Sequence, residues 1–156
     1  MRQRGFSLIE TVLVVTILAI LTGVAVPVFT RLLTHYRIES QTHGLLADLQ
    51  QTRANAMYQR RVTRVKLYPA RYEVYSSSAD SGAPLRSSLL RYPLSVEEGA
   101  TIDFNERGIA LTECSICVDS AEPTGALDSV VVSKTRLSIG QRDSGHDCNA
   151  KYITKR

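Results

Sequence analysis

The chain begins with a long run of apolar residues that contains a single charge. Residues 7–29 carry one ionisable side chain, Glu10, and are otherwise apolar, small or hydroxylated. A helix of about 20 apolar residues is enough to cross the roughly 30 Å hydrocarbon core of a bilayer. The pattern therefore predicts a transmembrane helix over residues 6–33.

Beyond this run, hydrophobic and small side chains recur every three or four residues. The recurring positions are Ile38, Thr42, Leu45, Leu49, Thr52 and Ala56. This spacing is typical of one face of an α-helix. Polar residues such as Asp48, Gln51 and Asn55 fall off that face. We therefore predict that residues 34–59 continue the first helix as an amphipathic spine that can place one face on a sheet.

After residue 60 the pattern changes to the alternation typical of strands. Residues 62–67 and 72–75 alternate on either side of Pro69 and predict a hairpin. A polar stretch over 76–88 predicts a loop, residues 105–108 a tight turn, and short strands are expected at 89–92, 102–104, 109–111, 130–133 and 136–139. The predicted fold class is α+β, with the long N-terminal helix packed on a mostly antiparallel β-sheet domain over residues 34–156, of which 60–156 are β-rich.

The residues around the start of the apolar run resemble a type IV prepilin leader. Residues 1–5 are short and basic and end in Gly5, Phe6 follows, and Glu10 lies four residues further on. An ordinary secretory signal places its small residues after the apolar region, whereas Gly5 precedes it. The resemblance implies that a prepilin peptidase removes residues 1–5 by cutting between Gly5 and Phe6 and that the new amino terminus of Phe6 is methylated.

Glu10 and Pro27 also fit this resemblance. An acidic side chain costs roughly 2.5 to 3.5 kcal/mol at the centre of a spanning helix, and less near the interface, so a plain anchor would not need one. In pilins the corresponding carboxylate pairs with the amino terminus of a neighbouring subunit, which implies an assembly role for Glu10. The alternative to an assembly role is that the chain has a simple signal anchor and that the Glu10 side chain extends to the membrane–water interface. Pro27 lies where pilin helices commonly kink, since proline removes a backbone donor and clashes with the preceding turn.

Charge around the apolar run predicts the orientation of the chain. Arg2 and Arg4 precede the run and follow the positive-inside bias, although Arg31 weakens the asymmetry once residues 1–5 are removed. We expect a single-pass protein of the inner membrane with a periplasmic or extracellular domain of about 120 residues, which is enough for one core. After assembly the chain would be part of a pilus or pseudopilus.

A second, local resemblance is to the FimT/GspH group of minor pilins and pseudopilins. In that group a phenylalanine-to-glycine turn precedes a closing strand, and here Phe104 and Gly108 precede residues 130–133. The resemblance implies a structural subunit that is not an enzyme, has no cofactor or metal, and has other pilin or pseudopilin subunits as partners. We expect a minor pilin with a role in pilus assembly or at the tip, and a GspH-like pseudopilin of type II secretion is the alternative.

DNA is a further candidate partner. Some FimT-like proteins bind DNA in natural transformation through a Gly-Arg-x-Arg motif, but residues 133–136 here read Ser-Lys-Thr-Arg and lack its glycine and one arginine. Charge gives a separate argument, because residues 53–71 and the segment after 130 are both rich in cations, which bind phosphates. The candidate contacts are Lys134, Arg136, Arg142, Lys151, Lys155 and Arg156. The alternative is a solvated surface that pairs with the acidic middle of the chain.

The three cysteines predict one disulfide and one free thiol in an oxidising compartment. If residues 114–117 form a strand, alternation places Cys114 and Cys117 on opposite faces, so only one can meet Cys148. We favour the pair Cys117 and Cys148, with Cys114 and Cys148 as the alternative.

A metal site is the competing interpretation of the same cysteines. Cys114, Cys117, His146 and Cys148 could be assembled around zinc, or the first two could form a redox pair. The single residue between His146 and Cys148 departs from usual zinc-site spacing, and no strand-to-helix redox motif surrounds Cys114. A signal-anchored metal-binding or enzymatic ectodomain is therefore the alternative from a different functional class.

Overall fold

A single long helix dominates the N-terminal third of the protein. The computed structural model describes residues 7–79, 82–96, 99–120 and 125–156, with only the backbone for Val24. The helix, α1, covers Leu8–Gln59 and contains Pro27. The chain forms two compact units, one up to Thr34 and the other from His35 to Arg156.

In the first unit the apolar side chains of α1 are exposed. Thr16 and Thr22 lie among them, and their hydroxyls donate to the carbonyls of Val12 and Leu18 at 2.7 and 2.6 Å. A hydroxyl that is bonded within its own helix leaves no donor unsatisfied, which suits an apolar surrounding. By length and composition this part of α1 can cross a membrane, as the sequence predicts.

In the second unit α1 buries one face. The buried positions include Ile38, Thr42, Leu45, Leu49, Thr52 and Ala56. These are the six positions of the predicted stripe, so that prediction is confirmed. A helix buries such a stripe because its side chains return to the same side every three to four residues.

Nine strands follow the helix. They are β1 Thr63–Leu67, β2 Arg71–Tyr75, β3 Arg86–Leu89, β4 Leu94–Ser95, β5 Ala100–Phe104, β6 Cys114–Val118, β7 Ser129–Val132, β8 Leu137–Arg142 and β9 Ile153–Lys155. A 3₁₀ turn at Ala150–Tyr152 leads into β9. The predicted hairpin is β1 and β2, and the last two predicted strands correspond to β7 and β8.

The strands form two antiparallel sheets. The first has the order β3-β2-β1-β5 and the second β4-β6-β7-β8-β9. The buried core contains residues of α1 together with residues of both sheets, such as Val65, Phe104 and Val130. The α+β class with mostly antiparallel sheets is therefore confirmed.

Two short predicted strands are wrong. The strand expected at 89–92 lies earlier, at β3. Residues 91 and 92 do not belong to it, because the side-chain amide of Gln41 binds their backbone. Gln41 Oε1 accepts from the N–H groups of Arg91 and Tyr92 at 3.0 Å, and Gln41 Nε2 donates to the carbonyl of Tyr92 at 2.8 Å. The strand expected at 109–111 is only an isolated bridge between Phe104 and Ala110.

The predicted tight turn at 105–108 is confirmed. The N–H of Gly108 donates to the carbonyl of Asn105 at 2.8 Å, and the Asn105 side chain accepts from the N–H groups of Arg107 and Ile109. Gly108 has φ +71°, a conformation that glycine adopts most readily. A β-carbon at Gly108 would lie 2.8 Å from Met57 Sδ, so this turn packs closely on α1.

Candidate functional sites

Glu10 lies near the start of α1, in its first turn, and is exposed. Its backbone N–H donates to the carbonyl of Ser7 at 3.1 Å. Within the described residues no cation pairs with its carboxylate. Gly5 and Phe6, the residues expected to form the cleavage and methylation site, lie outside the described residues. The arrangement provides an acidic group beside exposed apolar side chains, where a partner from another molecule could neutralise it.

Pro27 lies inside α1, and the helix continues on both sides of it. Because proline has no N–H group, it cannot donate to the carbonyl four residues earlier. The hydroxyl of Thr30 donates to the carbonyl of Pro27 itself at 2.9 Å. The kink expected at Pro27 stays a prediction.

The structure contains a disulfide between Cys117 and Cys148, the pair that the sequence analysis favours. Their α-carbons are 5.8 Å apart, and the two residues are 31 positions apart in the chain. Cys117 lies on β6 and is fully buried with Val131 and Ile153 in a small second cluster. The bond therefore fixes the carboxyl-terminal segment to the outer face of the second sheet.

Cys114 is the free cysteine. It lies three residues before Cys117 on β6, so its side chain is on the opposite face of the strand, against the main core. Burial raises the pKa of the Cys114 thiol to about 11. The thiol is therefore protonated near neutral pH, which makes it a poor nucleophile and a poor metal ligand.

The residues considered for zinc do not converge on one point. Cys117 and Cys148 are bonded to each other, and Cys114 faces the other side of β6. The His146 ring stacks against Tyr152, with ring centroids 4.4 Å apart. Among the described residues, no group of three His, Cys, Asp or Glu side chains could hold a metal ion.

Lys134 and Arg136 lie in the short turn between β7 and β8 and are exposed. The N–H of Ala110 donates to the carbonyl of Lys134 at 2.9 Å, which places the Arg107 turn beside this hairpin. On its other side that turn packs against α1, because a β-carbon at Gly108 would lie 3.2 Å from Arg53 Nε. The fold thus brings cations from three distant segments near one another, a grouping that we call the basic end (Arg53, Arg107, Lys134, Arg136). An acidic side chain lies there too, because the Glu113 carboxylate accepts from the N–H of Lys134 at 3.2 Å.

The other predicted DNA contacts lie elsewhere or are engaged. The guanidinium of Arg142 is 3.3 Å from a carboxylate oxygen of Asp119 and 3.9 Å from one of Asp128. The ammonium of Lys151 lies 5.4 Å from the centre of the Tyr152 ring. Lys155 is the last residue of β9, at the edge of the second sheet, Arg156 follows it, and both are exposed.

Cations of the first hairpin are also paired. Both Nε and a terminal nitrogen of Arg64 contact the Asp103 carboxylate at 2.8 Å. Arg71 contacts Glu73 at 3.0 Å. The charge of this hairpin is therefore largely balanced within its own sheet, which supports the alternative of internal pairing for this part of the chain.

A polar cluster between α1 and the first sheet was missed by the sequence reasoning. The Tyr72 hydroxyl donates to an Asp48 carboxylate oxygen at 2.6 Å, and Arg86 pairs with the other oxygen. The Tyr72 side chain is buried, and burial, followed by the bond to Asp48, raises the pKa of Tyr72 to about 12. From the sequence, Asp48 is expected to be solvated because it lies off the stripe. Only its contacts with Tyr72 and Arg86 show that it joins β2 and β3 to the helix.

Gly140 is a second residue whose role the sequence does not signal. It lies on β8 opposite Lys155 of β9. A β-carbon at Gly140 would lie 2.5 Å from a side-chain carbon of Ile153 and 2.7 Å from the carbonyl oxygen of Thr154. Glycine therefore allows β9 to approach β8.

These features together define a type IV pilin-like protein. The N-terminal part of α1 is apolar and exposed and carries Glu10, and the same helix then buries its amphipathic stripe against antiparallel sheets. The exposed apolar segment and the methylation motif are consistent with a membrane-anchored pilin.

Comparisons with known proteins agree with this class. The model of the prokaryotic N-terminal methylation motif matches residues 1–26. Two crystal structures of the type IV minor pilin FimU of Pseudomonas aeruginosa are similar in fold. One gives a TM-score of 0.55 at 21% identity over 65% of this chain and 87% of FimU, and the other 0.53 at 21% over 64% and 90%. No curated protein sequence matches the chain.

Proposed function

We propose that the chain is a minor subunit of a type IV pilus, with a structural role in filament assembly or at the tip. The observation that carries the proposal is the continuity of α1. One helix begins within the residues matched by the methylation motif, carries Glu10 in its first turn, and buries its amphipathic stripe in the domain core at its other end. A simple signal anchor needs no structural link between the spanning segment and the core of the following domain.

In this role the chain is inserted in the inner membrane, cut between Gly5 and Phe6 by a prepilin peptidase, and methylated at Phe6. The Glu10 carboxylate then pairs with the amino terminus of a neighbouring subunit, because both groups would otherwise be unpaired charges in an apolar surrounding. Pairing sets the axial register between neighbours. The protein acts by assembly and not as an enzyme.

The assembly role is tested with the variant Glu10→Ala in cells that carry the pilus machinery. We expect normal removal of residues 1–5, measured by mass spectrometry of the amino terminus, but at least tenfold less subunit in sheared filaments. The control Ser7→Ala, directly before α1, should enter filaments as the wild type does. Normal incorporation of Glu10→Ala would refute the pairing role.

The variant Gly5→Leu separates processing from assembly. It should remain in the membrane with residues 1–5 attached, since the expected cut follows a small residue. A wild-type amino terminus that still begins at Met1 in the presence of the peptidase would remove the main claim. Loss of protein secretion with intact piliation after deletion of the chain would favour the alternative, a type II secretion pseudopilin.

DNA binding is a second candidate function, and the basic end favours it. Arg107 on its turn lies between α1 with Arg53 and the hairpin with Lys134 and Arg136. The buried Nε of Arg53 has no hydrogen-bond partner within the described parts of the chain. Arg107, Lys134 and Arg136 are exposed, and exposed cations that lie near one another can contact successive phosphates.

The DNA candidate is tested by binding of the full chain in detergent to double-stranded DNA over a salt series. Loss of two phosphate contacts in Lys134→Ala with Arg136→Ala should flatten the log-log salt slope by about 2 units. Arg142→Ala is the matched control and should leave the slope unchanged, because Arg142 is already paired with Asp119 and Asp128. Equal slopes for the wild type and the double variant would show that the basic end does not bind DNA.

A further inference from the structure

The helix α1 ends in a conformation that its sequence does not favour. The N–H of Arg61 donates to the carbonyl of Ala56 at 3.2 Å, a closure typical of a helix that ends with a left-handed residue. That residue is Arg60, with φ +48°, and it is the sole non-glycine residue of positive φ in the described part of the chain. Glycine is usual at this position, because a β-carbon strains the left-handed conformation. Arg60 therefore makes the end of α1 less stable than glycine would.

Local strain of this kind points to a functional residue, because strained residues cluster at functional sites. The alternative is a structural role, in which the Arg60 cation stabilises the negative end of the α1 dipole. The Arg60 side chain is exposed, and it makes no hydrogen bond or ion pair with another described residue. The structure thus shows no contact of Arg60 that would offset the strain.

An exposed ring and a second exposed cation flank Arg60. The Tyr58 side chain is 89% exposed. Arg61 is exposed too, and its Nε donates to Gln59 Oε1 at 2.7 Å. Among the described residues no carboxylate pairs with either arginine. An aromatic ring and two guanidinium groups are therefore presented to solvent within four consecutive positions.

A further cation lies near the end of α1. Thr63, the first residue of β1, pairs with Phe104, and the turn over residues 105–108 follows directly. This turn packs on α1 and carries the exposed Arg107 together with one exposed acid, Glu106. We call the resulting group of side chains the helix-end patch (Tyr58, Arg60, Arg61, Arg107).

We propose that the helix-end patch binds single-stranded nucleic acid, with Tyr58 stacked on an unpaired base and Arg60 and Arg61 on the flanking phosphates. Exposed aromatic rings stack on bases of any sequence, and neighbouring cations hold the backbone. Bases inside a duplex are already stacked on both faces, so the ring of Tyr58 selects single strands. The inference rests on the DNA candidate function but uses different residues from Lys134 and Arg136.

The ligand preference is tested by fluorescence anisotropy of the full chain in non-ionic detergent with a labelled twelve-nucleotide oligothymidylate. Unlabelled oligothymidylate should compete at least about fivefold better than a duplex of the same length or an abasic strand with the same phosphates. Tyr58→Ala should weaken binding by about fivefold or more, since it removes the stacked ring. Tyr36→Ala is the matched control, a tyrosine of α1 that is 69% exposed, and should leave binding unchanged.

Arg60→Gly separates a functional role from a structural one, because it should improve the fold while it weakens binding. We expect at least threefold weaker binding, whereas the midpoint of urea unfolding rises by about 0.5 M. Arg60→Lys retains the charge and the strained conformation, so binding should stay within twofold of the wild type. Arg91→Gln removes an exposed cation elsewhere and should change neither quantity.

Several results would overturn the proposal. Equal competition by the abasic strand would show that no base is stacked, and equal competition by poly-glutamate would show a general surface for anions. Unchanged binding by Arg60→Gly would show that the strained cation has no role in recognition. Duplex binding through Lys134 and Arg136 without binding of oligothymidylate would overturn this proposal alone. Binding of oligothymidylate that depends on Tyr58 but not on Lys134 and Arg136 would support it and remove the basic end.

Discussion

Removal of the Cys117–Cys148 disulfide should destabilise the domain by a predictable amount. The two residues are 31 positions apart, and a loop of that length stabilises the folded state by about 3 to 4 kcal/mol in the chain-entropy model. We expect this loss in Cys148→Ala. The bond also holds the segment that leads into β9, so its loss should loosen β9 before the rest of the second sheet.

The effect is measured by urea unfolding of the full chain in detergent, followed by tyrosine fluorescence. With a slope of about 2 kcal/mol per molar urea, the midpoint should fall by roughly 1.5 to 2 M. Cys114→Ala is the matched control, since it removes a half-buried thiol without removing the bond. Reducing agent should lower the wild-type midpoint to that of Cys148→Ala and leave the variant unchanged. Equal midpoints for wild type and Cys148→Ala without reductant would refute the reasoning.

Two further predictions concern the residues that the sequence did not signal. Gly140→Ala should cost about 1 to 3 kcal/mol by urea unfolding, because the new methyl group meets the backbone of Thr154, whereas Gly44→Ala in open space on α1 should stabilise slightly. The pKa of Tyr72 is raised from its usual value of 10 to about 12 in the folded protein, so its stabilising contribution is complete below pH 10 and is lost as pH rises towards 12. Tyr72→Phe should therefore lose less stability than the wild type over that range, and equal losses would contradict the raised pKa that burial and the bond to Asp48 give Tyr72.

The helix is the part of the fold that the sequence predicts best. Its apolar run and its stripe are local patterns of one long element, so Ile38, Leu45 and Leu49 could be identified as buried before any partner was known. The β1–β2 hairpin and the turn at Gly108 follow for the same reason. In each case the residues that decide the conformation are close together in the chain.

The sequence could not predict elements whose backbone partners are distant in the chain. A strand is predicted at residues 89–92, yet the Gln41 side chain binds the backbone of residues 91 and 92, and the observed strand is β3. β4 and β9 contain only two and three residues, too few for a periodic signal, and they exist because β6 and β8 offer an edge. Short strands depend on such long-range pairing.

The candidate functional residues also divide into those that the sequence identifies and those that only the structure identifies. The sequence by itself identified the residues of the methylation motif and Glu10 and reduced the disulfide to two possible pairs, since these depend on spacing and on the alternation of a single strand; the structure decides for Cys117 and Cys148. Only the tertiary structure decided that Arg142 is paired with two carboxylates and that the segment after the Arg107 turn is bonded to the hairpin of Lys134. Grouping of charges from separate segments depends on how the chain crosses between sheets, and that is fixed by packing and distant hydrogen bonds that leave no local pattern in the sequence.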